Sequence, residues 1–498
     1  MFSLFGLPRP ETDRLLQETS PRPFNNKHTL ARQTSSHFAC NGSLPTNALP
    51  SDILCHIAQC VLSDNGIDHD TQSIIPLSHV CKHWRESIVS AGANWTRITN
   101  RREGLTALSL SRSQEAPLQI WFDMERQHPW FSDLIKHHIK KTSFLKVELT
   151  EFAELVATFP LSAQSMPELH SLEISLARLQ IDAPSSDDPF TSFPPSLRSL
   201  SLCFIPLYQS FLNIKTLTKF TLHDPEFALP LDILLAFLKK NSSLKHVELD
   251  INFTDSPSSG CWAPVNNQLQ YLSVTCGDVE HIQVLIHHIQ LNDGGDLDIT
   301  SYDNNKPGLE HILPEIHTMY PRILSSPTHM YCDNGKSIKL SGPNGSFKFY
   351  GPPTPKQDST RLPQLSFKYI QEAHFQLHGP ELPNLSLFPA LRALVIDYRK
   401  DQPNTLITSL PSQAASPILK TLVFRLITFP KKFMQELIQF ASRRSKSLST
   451  KLHCIIFVGW AKDQLPTDQL HELRRHVSDI KFRVLNSEGL PKDLLSME

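Results

Sequence analysis

A six-residue phrase, Leu-x-x-Leu-x-Leu, recurs along the chain and constrains its fold more than any other feature. It appears as Phe144/Val147/Leu149, Leu169/Leu172/Ile174, Leu197/Leu200/Leu202, Leu217/Phe220/Leu222, Leu244/Val247/Leu249 and Leu269/Leu272/Val274. It returns as Leu391/Leu394/Ile396 and Leu419/Leu422/Phe424. Neighbouring copies start about 20 to 28 residues apart, the spacing of chains that stack one supersecondary unit many times. The end of each phrase alternates apolar and polar, as a strand with one buried face does. Several copies precede helical stretches, such as Leu231 to Lys240 and Val279 to Ile289. One strand with one short helix cannot bury its apolar side, whereas stacked copies can. The expectation is an α/β domain over 141–498, with the strands in one sheet and Leu172, Leu200 and Leu249 pointing into the core.

The same alternation turns the intervening residues the other way. Lys219, Thr221 and His223, then His246, Glu248 and Asp250, then Tyr271, Ser273 and Thr275 are expected on one shared face. Adjacent strands lie about 5 Å apart, so these side chains form a continuous polar patch with one aromatic anchor. Lys219, His223, His246, Glu248, Asp250 and Tyr271 are therefore the candidate residues for holding a target.

The rhythm breaks at 300–365, where Asn304-Asn305-Lys306-Pro307-Gly308, Gly342-Pro343-Asn344-Gly345 and Gly351-Pro352-Pro353 bound two candidate strands, Lys336 to Ser341 and Ser346 to Tyr350. This reads as an irregular insertion holding a hairpin. A helix from Pro430 to Arg444, a strand from Cys454 to Val458, a helix from Thr467 to His476 and a strand from Ile480 to Leu485 close the far end. Ahead of the repeats, residues 1–43 are rich in Ser, Thr, Asn, Gln, Pro and Arg, the composition of a disordered tail. Residues 99–140 read as a connecting segment.

Between tail and connector lies a helical pair. Ser51 or Asp52 can cap a helix carrying Ile53, Leu54, Ile57, Val61 and Leu62 near the helical period, with Pro50 at its entry. A second amphipathic helix is expected after Pro76, where Leu77, Val80, Cys81, Trp84 and Ile88 fall three or four apart. A pair this short buries little apolar area, so its Leu and Trp side chains call for a larger partner surface.

Residues 44–98, with Leu49-Pro50 at the start, the spaced aliphatics, Val80-Cys81-Lys82-His83-Trp84-Arg85 and a closing Trp95, resemble an F-box. The link from Ser63 to Ser73 is longer and more polar than that family's usual one, and is expected to loop out. The phrase Leu108 to Ser113 followed by Ala116 to Trp121 resembles the join found in many fungal F-box proteins, and the repeats resemble degenerate leucine-rich repeats. The resemblance implies a solenoid behind the box, a Skp-type adaptor and cullin ligase as partners, and an adaptor contact made by Leu49, Pro50, Ile53, Leu54, Ile57, Leu77, Val80 and Trp84. It implies the substrate-recognition subunit of an SCF-type ubiquitin ligase. An F-box scaffold acting outside ubiquitin ligation and a repeat-type interaction module remain open.

Composition fits these expectations. With 40% hydrophobic residues the chain can build a core, and a net charge of -1 gives no general attraction to nucleic acid or anionic membrane. Neither an N-terminal leader nor an apolar run long enough to span a bilayer is legible, which points to a cytoplasmic or nuclear protein. The 9 cysteines lack a C-x-x-C pair and read as reduced thiols. No phosphate-binding Gly loop, no Gly-x-Ser-x-Gly and no His-Glu-x-x-His occurs, so an enzyme, a cofactor and a metal site are all unexpected. His281, His287 and His288 have the wrong spacing for zinc and read as solvated or half-buried side chains.

Overall fold

The computed structural model describes residues 48–64, 71–123, 128–149, 161–176, 192–254, 265–301, 318–333, 337–350, 367–377, 385–398, 418–426, 432–447, 452–460 and 464–483, together with Phe159, Asp188, Phe190, Ile312 and Ile316. The tail expected over 1–43 lies outside the described residues, as do most of 300–317 and 351–366. The chain divides into two units, Met1–Asn94 and Trp95–Glu498.

In the first unit α1 (Ser51–Asp64) turns Leu54, Ala58 and Leu62 inward. Two short 3-10 turns follow, Thr71–Ile74 and Pro76–His79, and then α2 (Lys82–Ser90), which buries Trp84, Ser87 and Ile88. The single helix expected after Pro76 is thus split. Cys81 is fully extended between the turn and α2. The Ser78 carbonyl accepts a hydrogen bond from Arg85 Nε at 3.1 Å, and that carbonyl is satisfied across the break rather than inside a helix.

Among the described residues the second unit is built on a 17-stranded sheet. Its strands are β1 (Arg97–Thr99), β2 (Leu118–Asp123), β3 (Thr142–Leu149), β4 (Ser171–Leu176), β5 (Ser199–Cys203), β6 (Lys219–Leu229), β7 (His246–Phe253), β8 (Val265–Cys276), β9 (Ile289–Ser301), β10 (His329–Asp333), β11 (Ser337–Gly342), β12 (Gly345–Tyr350), β13 (Glu372–Leu377), β14 (Ala393–Tyr398), β15 (Thr421–Leu426), β16 (Leu452–Val458) and β17 (Val477–Arg483). From β1 to β9 each strand pairs in parallel with the next, and so do the strands from β13 to β17.

Between these two runs the order reverses. β12 pairs in parallel with β9, β11 lies antiparallel to β12 and to β10, and β10 pairs in parallel with β13. The insertion expected to interrupt the repeats instead supplies the strands that join them. Its hairpin falls where the Gly/Pro clusters placed it. Three strands running up, down and up leave a parallel edge on both sides, which an even number could not do. Gly345 starts β12 with φ +113, and a Cβ there would collide with the carbonyl oxygen of Gly295, so the close approach of β12 to β9 requires glycine.

The register carries two apolar rows across the whole sheet. One row runs Leu145, Leu172, Leu200, Phe220, Val247, Leu272, Leu297 and Phe347, crosses the reversal through Leu340 and Met330, and continues through Ala373, Leu394, Leu422 and Ile455. All of these are buried. Helices Leu231–Lys240, Val279–His288 and Phe433–Ser447 add Leu234, Phe237, Ile282, Leu285, Phe433 and Leu437 to the same core. At Leu169, Leu197, Leu217, Leu244, Leu391 and Leu419 the first Leu of the phrase is buried just ahead of its strand, whereas the Phe144 copy is two residues out of step, with Phe144 half-buried inside β3 and Val147 paired with Ile174. A hydroxyl just before such a Leu donates to the corresponding carbonyl one repeat earlier: Ser196 to Leu169, Thr216 to Leu197 and Ser243 to Leu217, at 2.7 to 2.8 Å. These bonds satisfy carbonyls that the strand ladder leaves out.

Candidate functional site

Packing inside the first unit sorts the residues named from sequence. Leu54 is fully buried and Trp84 is 8% exposed, so both serve as core between α1 and α2. Leu49, Ile57 and Leu77 are half-buried, and Pro50 is exposed. Ile53 and Val80 are 43% and 48% exposed, large aliphatic side chains in a unit too small to cover them. The entry to α1 is fixed against α2 by Ser51 Oγ and Ser87 Oγ at 2.9 Å and by His83 Nε2 against the Leu49 carbonyl at 2.8 Å. The Leu-Pro entry therefore keeps a set position beside α2.

On the sheet, the six residues named for target binding share one face and pair directly across strands. Lys219, His246 and Tyr271 form one row, and His223 and Asp250 belong to another four residues along. Glu248 lies between these rows, opposite Thr221 and Ser273. Lys219 and His246 are exposed, and the other four are half-buried. His223 Nδ1 and Asp250 Oδ2 approach to 2.5 Å, a contact that is ionic when the imidazole is protonated. Partial burial nonetheless holds the Asp250 carboxyl above the usual carboxylate range, its contact with His223 opposing that shift. Burial likewise raises the Tyr271 phenol. The ring of Phe204 meets His223 edge-on at 5.3 Å between centroids. Phe204 holds φ 57, a left-handed conformation uncommon for a bulky side chain.

A second group on this face shares only Tyr271 with the residues named from sequence. Tyr271 on β8, Asp296 and Asp298 on β9, Ser346 and Lys348 on β12, and Lys339 on β11 line a cavity of about 400 Å³, with Tyr331 and Ser337 at its far side. Lys348 Nζ pairs with Asp298 Oδ2 at 2.9 Å, and Ser346 donates to Asp296 Oδ1 through both its backbone N and its hydroxyl. Beyond the cavity, Tyr331 stands edge-on to His374 at 4.9 Å and donates its hydroxyl to Gln376 Oε1 at 2.8 Å. The alternation Ser337-Ile338-Lys339-Leu340 and Phe347-Lys348-Phe349 already put both lysines outward. What the sequence could not supply was the reversed strand order, which sets them beside β9.

The first unit's short helices, its Leu-Pro entry and its surface aliphatics have a counterpart among known families. Residues 46–101 match the F-box-like family model. This F-box-like domain takes in α1, α2 and the start of the sheet unit through β1. F-boxes are docking modules for Skp-type adaptors of cullin ligases, so the match supports an F-box protein with a role in adaptor binding. No curated protein matches the chain. Among the described residues no group of three His, Cys, Asp or Glu side chains is arranged to hold a metal ion, and no helix is long and apolar enough to cross a membrane.

Proposed function

We propose that this chain is the substrate receptor of an SCF-type ubiquitin ligase, joining a Skp-type adaptor at the F-box-like domain to a target protein on the outer face of a degenerate leucine-rich-repeat solenoid. The observation that carries the adaptor half is the pair Ile53 and Val80. Both are large aliphatics left at the surface of a module whose family docks through apolar side chains, and a few such anchors supply most of an interface's energy. The sequential parallel pairing of β1 to β9 and of β13 to β17 supports the solenoid half, since each strand leans only on its neighbours. In this role the chain catalyses nothing. It raises the effective concentration of a target lysine near the charged conjugating enzyme.

Ile53→Asp with Val80→Asp should weaken adaptor capture about 100-fold while the helical signal of the module survives, the loss expected from two central apolar anchors. Full adaptor binding by the folded double variant would refute the docking assignment. Leu54→Ala with Trp84→Ala should also abolish capture, but by unfolding the module, because each truncation empties a core position worth about 3 kcal/mol or more.

A further inference from the structure

On the rim where β13 to β17 begin, each approaching residue donates its backbone N–H to the carbonyl of its counterpart one strand earlier: Arg392 to Gln371, Lys420 to Arg392 and His453 to Lys420, at 2.7 to 2.8 Å. This ladder sets the exposed side chains of Arg392, Lys420 and His453 next to one another at the strand spacing of about 5 Å. Two helices end on the same rim. Arg444 Nη2 in the helix Phe433–Ser447 donates to the Leu419 carbonyl at 2.9 Å, which ties that helix end to the approach of β15. The helix Thr467–Arg474 runs almost directly into β17. They add exposed Arg443 and Lys446, then exposed Arg474 and Arg475. With Lys368 ahead of β13 the rim carries seven exposed Lys or Arg side chains, against one carboxylate among the described residues, Glu472. Glu372 and Asp479 lie one step into the sheet, on the outer face, and meet His329 at 3.1 Å and Lys481 at 3.5 Å. The whole chain balances 48 Lys and Arg against 49 Asp and Glu, so this is a local excess. Solvent screens each cation singly, and none of them needs a partner. Neighbours about 5 Å apart nevertheless lie within one Debye length, about 8 Å at physiological salt, so their potentials add. Complementing the helix dipoles accounts for the cations at the helix ends but not for Lys368, Arg392 and Lys420, which precede strands.

Two large apolar side chains share the rim: Tyr369 is 45% exposed and Ile418 is 43% exposed. They stand two residues ahead of Gln371 and Lys420, with the small Ala390 at the matching place before Arg392. Isoleucine offers a nucleic-acid base nothing to stack on, and Tyr369 already has Lys368 Nζ over its ring at 4.8 Å, so the aromatic platforms of a nucleic-acid groove are missing. Two separate side chains, each more than half covered, also give a bilayer little to bury. Carboxylates and aliphatic side chains on one peptide meet both features of the rim. We infer that this rim docks an acidic segment of a partner protein that also carries aliphatic residues, its carboxylates on Arg392 and Lys420 and an apolar side chain against Ile418. The inference goes beyond the receptor reading and does not depend on the outer sheet face being the recognition surface, because the rim lies at the strand starts.

The test uses the full chain and a fluorescein-labelled nonapeptide of repeated Glu-Glu-Leu, read by fluorescence anisotropy beside its Gln-Gln-Leu and Glu-Glu-Ser counterparts. The Glu-Glu-Leu peptide should bind about tenfold more tightly than either, and added salt should remove its advantage over Gln-Gln-Leu. Arg392→Glu with Lys420→Glu should weaken binding about 30-fold, two attractions becoming two repulsions, and Ile418→Ser should abolish the preference for Leu over Ser. Arg198→Glu with Lys245→Glu reverses two exposed cations at the same place before β5 and β7, and should leave binding within about twofold. Arg474→Glu with Arg475→Glu repeats the measurement at the helix end and should weaken binding too, an unchanged unfolding midpoint qualifying each variant. Equal binding of the Glu and Gln peptides overturns the inference. So does equal weakening by the Arg198 and Lys245 reversals, which would make the attraction general. A dT oligonucleotide of matched charge, or phosphatidylserine vesicles, displacing the probe at lower concentration than unlabelled peptide also overturns it and assigns the rim to phosphate groups.

Discussion

The outer face of the sheet is two different surfaces made from one row of residues. From β6 to β12 the middle row reads Thr221, Glu248, Ser273, Asp298 and Lys348. After Lys339, Tyr331 and His374 it becomes Val395, Val423 and Ile456, all buried. These valines and isoleucine join Cys454 and Val458 in a small apolar cluster separate from the main core. The ion pair between Arg425 and the buried Asp397, at 3.4 Å, stands beside it. A strand position pointing away from the core is therefore not equivalent along the sheet. At the first end it meets solvent, and at the other it is packed as tightly as the inner rows.

The sharpest way to break this contrast is to put the same polar group at both ends. Val423→Asn should cost about 3 to 5 kcal/mol in denaturant unfolding, as should Leu249→Asn on the inner face, because each strands an amide in an apolar interior. Glu248→Asn, in the same row as Val423, should stay within about 0.5 kcal/mol. A cheap Val423→Asn would mean that the second cluster is packing in name only, and a costly Glu248→Asn would mean that the register is wrong.

His374 sits at the transition, and its titration should report the change of surroundings. Burial first, and the nearby Arg425 second, lower its pKa to about 4. The depressed value means the unfolded chain takes up the proton first as pH falls. Stability from this group is complete above its ordinary pKa near 6.5 and drains away as pH falls toward 4. The total is on the order of 3 kcal/mol, and it should be absent from the pH dependence of His374→Phe. An unchanged acid limb in that variant would place the boundary elsewhere.

The smallest stability effect is expected where the largest functional one is. Combined Lys219→Ala, His246→Ala and Tyr271→Ala should change unfolding free energy by no more than about 1 kcal/mol, since exposed or half-exposed polar positions add little. On the proposed function, the same variant keeps its adaptor and loses target proteins in comparative affinity purification. Retention of every target would place recognition elsewhere on the molecule.

The inner rows were legible because alternation has only one physical cause at that spacing: Leu172, Leu200 and Leu249 are buried and their neighbours are not. The second cluster also left a signal that alternation obscured. Leu394-Val395-Ile396, Leu422-Val423-Phe424 and Ile455-Ile456-Phe457 are unbroken apolar runs, the mark of strands covered on both faces. Periodicity could not separate Leu54 and Trp84, which hold α1 to α2, from Ile53 and Val80, which face out, because core and interface positions use the same side chains. The cavity was out of reach for a different reason. Lys339 and Asp298 lie far apart in sequence, and only the reversal of β10, β11 and β12 brings them together.

That reversal also sets a timetable. Every strand up to β9 finds its partner in chain already made, but β9 waits for β12, whose paired residues lie 50 positions later. Doubling a loop from about 25 residues to that length costs only about 0.6 kcal/mol, so the delay barely touches final stability. At about 5 to 20 residues per second, however, a growing chain would carry β9 as an open edge for roughly 3 to 10 s. Such an edge invites pairing with other chains unless it is charged. The strand that must wait carries Asp293, Asp296 and Asp298. Those carboxylates later serve the finished sheet, and during synthesis they make the edge that waits longest for its partner strand a poor template for aggregation.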